Sequence, residues 1–252
     1  MPRSIPLALP PALPSELLEY VLSHQAYPTT VIICQPRASF LTSLLNSVDI
    51  TTPHDNLGEA QSPLTRHNLL VPTLHQIATS KHINLVFVPT VSHLRAVLAA
   101  FPPTPADEIP PLQKFDKPGR QVPLLVVYGL VELHRDTSEW SAQGLSNSVS
   151  NLVEAGWRSE RRVVAIEDRG LDEEYYETVL EEGEEEGLEE GTGDDRKWKQ
   201  LCKVWEQRVP ILNGSVKRAG LDSEDGAWSG RTVEVGRVLG RWFRFGRGDW
   251  VT

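Results

Sequence analysis

Val31-Ile32-Ile33-Cys34-Gln35-Pro36-Arg37-Ala38-Ser39-Phe40-Leu41-Thr42 begins as an apolar strand and runs into eight residues standing where a phosphate-binding loop would stand. Such a loop reads G-x-x-x-x-G-K-[ST]: bare glycine backbone cradles the phosphates, the lysine reaches the β- and γ-phosphates, and the hydroxyl holds magnesium. Here Gln35 and Phe40 take the glycine places and Leu41 takes the lysine place, so only Thr42 keeps the pattern. Pro36 removes an N–H, Phe40 adds bulk, and no cation faces the transferred charge. The stretch therefore reads as the strand, turn and helix of an α/β protein whose nucleotide chemistry is gone. Any α/β domain contains such a unit, so the rest of the chain has to carry the reading.

Strand and helix patterns alternate on either side of it. Leu17, Leu18, Val21 and Leu22 give residues 16–23 a helical apolar face, with Ser15 placed to cap it. Residues 38–48 follow the first strand as a helix, 49–64 read as loop, and a helix carrying Leu74 and Ile77 leads to a strand at 83–88. Thr90 is placed to cap the next helix, where Leu94, Val97, Leu98 and Phe101 recur at helical spacing. Seven prolines across 102–123 predict a long surface loop. Leu124-Leu125-Val126-Val127 is apolar at consecutive positions, as a strand covered on both faces must be. Tyr128 closes it, where a P-loop ATPase carries the magnesium-positioning aspartate of Walker B. A helix over 137–154, a strand over 162–167, a helix lined by Trp198, Leu201 and Trp205, and a strand over 209–213 continue the alternation. Residues 231–238 and 240–245, around a glycine, predict an antiparallel hairpin. The expected fold is α/β, a mostly parallel sheet flanked by helices with that hairpin after it, in one domain over 1–252. A Pro-rich segment and helix (1–27) open it.

The net charge of −9 hides two populations. Residues 172–195 hold 13 of the 34 acidic residues and no basic one, which leaves 25 basic against 21 acidic elsewhere. That run predicts a solvated, disordered insertion, or one that competes for a basic surface. From Arg196 onward there are 12 basic and 6 acidic residues. Two cysteines, Cys34 and Cys202, supply neither a disulfide framework nor metal-ligand spacing. The opening segment is too broken by proline for a signal-peptide core, and nowhere do about 18 apolar residues run together. The expectation is a soluble protein of cytoplasm or nucleus.

In this order the blocks resemble the RecA-like core of recombinase paralogues, specifically the small divergent paralogues of Shu-type complexes that pair with a SWIM-domain zinc protein. The resemblance rests on VIICQPRASFLT (31–42), LHQIATSKHINLVFVPTVSHLRAVLAAF (74–101), LLVVYGLVEL (124–133), WKQLCKVWEQRVPIL (198–212) and GRWFRFG (240–246). It implies a nuclear, non-catalytic subunit, partnered by the SWIM-domain protein and by recombinase or other paralogues, that helps assemble the recombinase filament on single-stranded or forked DNA. Phe40, Leu41 and Tyr128 depart from the members that bind ATP, so the reading is a pseudo-ATPase with no cofactor. Any zinc would belong to the partner, since His/Cys ligand sets are absent here. The alternatives are a RecA-like scaffold of a tRNA-modifying, Elongator-type assembly, or an ATPase with an atypical site.

Arg237, Arg241, Arg244 and Arg247 lie among Trp242 and Phe243, with Lys217 and Arg218 upstream, a composition suited to phosphate contact and base stacking. On an alternating strand Trp242 faces away from Arg241, which equally suits a core tryptophan. His75, His82, His93 and His134 are scattered, and the Ser146 to Ser150 cluster sits in a helix with no nucleophile-elbow glycines; Glu132 and His134, following the Walker-B-like strand, stand where α/β enzymes place acid–base chemistry.

Overall fold

The structure, a computed structural model, describes residues 4–24, 27–50, 68–102, 122–170, 202–212 and 231–247. The expected Pro-rich loop lies mostly outside these residues; the acidic insertion, Lys217 and Arg218 lie wholly outside them.

Elements run β1 (Leu7–Ala8), α1 (Pro14–His24), β2 (Thr29–Ile33), α2 (Arg37–Ile50), α3 (Leu74–Ser80), β3 (Ile83–Phe87) and α4 (Val91–Ala99). Then come β4 (Leu124–Tyr128), α5 (Leu130–His134), α6 (Ala142–Arg158), β5 (Arg162–Ile166), β6 (Arg208–Pro210), β7 (Thr232–Glu234), α7 (Val235–Leu239) and β8 (Arg244–Phe245). Six strands form one parallel sheet in the order β3-β2-β4-β5-β1-β8, and β6 and β7 pair antiparallel as a separate sheet. This α/β architecture is consistent with a Rossmann or RecA-like core.

Every residue of β2 and β4 is buried, because both faces are covered. One face carries Leu17 and Val21 of α1 and Phe40 of α2 against Val31, Ile33, Val126, Tyr128 and Ile166. The other carries α4, α6 and α7 against Ile32, Leu125, Val127 and Val163. Helices on both faces are what right-handed crossovers between parallel strands produce when the chain first winds one way along the sheet and then the other. Thr90 caps α4 as expected, its hydroxyl accepting from His93 N at 3.1 Å. Leu94, Leu98 and Phe101 are buried.

Three expectations are corrected. Helix α1 begins at Pro14, a residue already set for the first helical position, and Ser15 lies inside it; the cap comes from Glu16, whose carboxylate accepts from Leu13 N at 2.7 Å. Leu7–Ala8, taken as part of an irregular opening segment, is a sheet strand between β5 and β8. The expected hairpin of 231–238 with 240–245 does not form: β7 pairs antiparallel with β6, the residues after it turn into α7, and β8 joins the main sheet in parallel beside β1.

Arg95 of α4 ties the corner before α6 together, donating to Glu139 at 2.6 Å and to Gly144 O at 3.1 Å. The corner is tight: a Cβ on Gly144 would stand 2.2 Å from Glu139 O. Gly144→Ala should therefore cost ~1–3 kcal/mol through forced backbone movement. Thermal unfolding checks this, and an unchanged midpoint would mean that the corner yields freely.

Candidate functional site

Two strand–turn–helix units reach the carboxyl edge of the sheet, one after β2 and one after β1. After β2, Gln35 starts the turn and Phe40 is buried, edge-on to Tyr128 at 6.1 Å and to Phe87 at 5.9 Å between ring centroids. Phe40 thus fills the space beneath α2. Leu41 is exposed, and the Thr42 hydroxyl donates to Ala38 O within its own helix at 3.1 Å. None of these side chains presents a charge, and the amide Nε2 of Gln35 is a lone buried donor with no partner among the described residues.

The turn after β1, residues 9–13, is the one the Walker-B-place residue reaches. The Tyr128 hydroxyl donates to Ala12 O at 2.9 Å, and Arg169 N donates to the same oxygen at 3.2 Å. Burial first, then Asp168 and the other nearby carboxylates, push the Tyr128 phenol well above its ordinary range and keep it a donor. Ala12 bridges Asp168 in parallel fashion, extending the β1–β5 pairing beyond both strands.

An anion cradle needs backbone N–H groups that are free to turn toward a ligand. Over 9–14 there are none: Leu9 N donates to Ala165 O at 2.9 Å, Ala12 N to Glu167 O at 3.0 Å and Leu13 N to Glu16, while Pro10, Pro11 and Pro14 carry no N–H. Glu16 also pairs with Arg169, fixing the start of α1 to the residues after β5.

Directly after β5 stands a buried acid, Glu167. Both Glu167 carboxylate oxygens accept from Val131 N, at 3.0 and 3.1 Å. Burial raises the Glu167 carboxyl to about 8, outweighing the lowering by those donors, and Glu132 and Asp168 add to the rise. Gly129 lets the chain turn from β4 into α5 at φ 78°, a conformation that costs glycine little. Burial and the neighbouring Glu167 push the Cys34 thiol well up, so it stays a protonated core residue; Cys202 is also free.

The expected Glu132–His134 pair does not assemble. Glu132 is exposed on an ion pair with Arg135 at 2.9 Å. His134 is fully buried; its Nδ1 donates to Leu130 O at 2.8 Å and its Nε2 accepts from the Ser148 hydroxyl at 2.9 Å. Desolvation lowers its pKa, and the neutral ring serves as a structural strut between α5 and α6. Among the described residues no group of three or more His, Cys, Asp or Glu could hold a metal ion, and no helix is long and apolar enough to cross a membrane.

The arginines separate into two groups. Arg237 and Arg241 line a groove beside α6, whereas Arg244 lies on β8 and Arg247 follows it. Phe243 is buried and Trp242 packs against the same core, so these aromatics hold the fold and offer no stacking platform. At the opposite edge β3 has one sheet neighbour, with Leu85 exposed. Leu45 on α2 is 64% exposed and Leu74 on α3 87% exposed.

No protein-family model matches the chain, and no curated protein matches it in sequence.

Proposed function

We propose that this chain is a non-catalytic recombinase-paralogue subunit of a Shu-like complex, supporting homologous recombination and DNA repair by assisting recombinase filament assembly on DNA. The observation that carries the reading is the closed turn after β1: each N–H over 9–14 is absent or already bonded, and Tyr128 occupies the place of a magnesium-positioning carboxylate. In this reading the closed turn at 9–13 gives up phosphate chemistry and the domain works by binding. The exposed apolar side chains at the β3 edge, on α2 and on α3 favour a permanent protein partner there.

In this reading the partners are a SWIM-domain zinc protein and a recombinase or its paralogues, in the nucleus, and the zinc belongs to the partner. Arg244 and Arg247 contact the phosphates of single-stranded or forked DNA, together with Lys217 and Arg218. Affinity purification of the tagged chain should recover a SWIM-domain zinc protein together with a recombinase. Recovery of ring-forming, tRNA-binding subunits in their place would replace this reading with that of an Elongator-type scaffold.

A further inference from the structure

The groove beside α6 has a character of its own. The first turns of α6, the β6–β7 pair and α7 enclose about 510 Å³, lined by Gln143 and Ser146 on one side, Ile211, Leu212 and Val233 on the floor, and Arg237 and Arg241 at the rim. Ile211 is 43% and Leu212 57% exposed, two large aliphatic neighbours just past the end of β6. Among the described residues no acidic side chain lines the groove, and neither guanidinium has an ion-pair or hydrogen-bond partner. The described lining thus sets apolar contact and positive charge side by side.

We propose that this groove docks an acidic, aliphatic peptide segment of a partner protein, with its carboxylates on Arg237 and Arg241 and its apolar side chains on Ile211, Leu212 and Val233. Charge complementarity selects the acid, because planar guanidinium groups recognise carboxylates with paired hydrogen bonds. The aliphatic floor selects the rest of the occupant. A nucleic acid strand needs a track of cations with aromatic platforms, and this lining has only two cations and no aromatic side chain. The volume suits two or three side chains, and the half-exposed floor leaves a peptide backbone room to pass along it. The groove therefore adds a protein-docking surface distinct from the DNA contact assigned to Arg244 and Arg247.

The test uses the full chain with three fluorescein-labelled probes: the peptide DELDDLLEE, its counterpart KKLKKLLKK, and oligothymidine. Fluorescence anisotropy should show micromolar binding of the acidic peptide and none of the basic one. Arg237→Glu with Arg241→Glu should weaken the acidic peptide at least tenfold, and Leu212→Asp should do the same. All three side chains are exposed, and matching thermal transitions will verify that the variants fold. Arg244→Gln with Arg247→Gln should leave peptide binding unchanged while flattening the salt dependence of oligothymidine binding. Equal peptide affinity in wild type and the Arg237/Arg241 variant would overturn the proposal, as would loss of oligothymidine binding alone in that variant. A flat oligothymidine response to the Arg244/Arg247 pair would count against the DNA contact and leave the groove standing.

Discussion

Tyr128→Ala should lower stability by ~3–5 kcal/mol, the range for emptying a large buried aromatic site. The side chain is fully buried, packs edge-on to Phe40 and holds the Ala12 carbonyl. Tyr128→Phe keeps the ring and loses only the hydroxyl bond, so it should cost ~1 kcal/mol; Arg169 N still reaches Ala12 O. The two variants together separate packing from hydrogen bonding. Tyr128→Asp restores the carboxylate of a magnesium site in name only. It places an unpaired charge in the core beside Asp168, whose charge already raises the Tyr128 phenol. It should be less stable than the alanine variant, and magnesium-ATP should not raise the melting temperature of any of the four proteins. A rise of several degrees with nucleotide would show an open cradle and end the pseudo-ATPase reading.

The second large effect is a pH dependence set by Glu167. Its carboxyl is raised from 4.5 to about 8, so between those values the folded chain keeps a proton that the unfolded chain releases. Stability from this group is fully present below about 4.5 and is lost as the pH rises through 8. At ~1.4 kcal/mol per pKa unit the loss amounts to several kcal/mol. Glu167→Gln keeps an oxygen for Val131 N and has no proton to lose. The variant should therefore gain on the wild type from pH 5 to about pH 8 and level off above it, as read by urea unfolding at each pH. Parallel profiles for the two proteins would show that Glu167 is ionised in the fold.

Much of the frame was legible in local pattern. Strand β4 announces itself by four consecutive apolar residues, and α4 by Thr90 followed by Leu94 and Leu98 at helical spacing. What escaped was held by distant partners. Leu7–Ala8 is two residues among prolines, and only β5 and β8, both far along the chain, make it a strand. A two-residue strand carries no periodicity of its own, so the sequence pattern points to the turn after β2 and not to the closed turn at 9–13. A short apolar pair followed by a proline turn and a helix at Pro14 was the signal that would have found it. Val235, Val238 and Leu239 stand at helical spacing, yet the surrounding alternation suggested a strand; packing on Trp205 and α6 decided for the helix. Glu167 carried a cue as well, an acid continuing the apolar strand Val163 to Ile166.

The pairing of β1 with β8 also bears on how the chain matures. Residue 7 lies beside residue 164 on one side and residue 244 on the other, so during synthesis the earliest-made strand must wait for the last. The block β3-β2-β4-β5 has all its partners as soon as β5 leaves the ribosome, whereas the slot for β1 is completed only once β8 follows. A nascent chain stalled before residue 244 would present an unfinished sheet border, and such contacts between remote residues are slow to form.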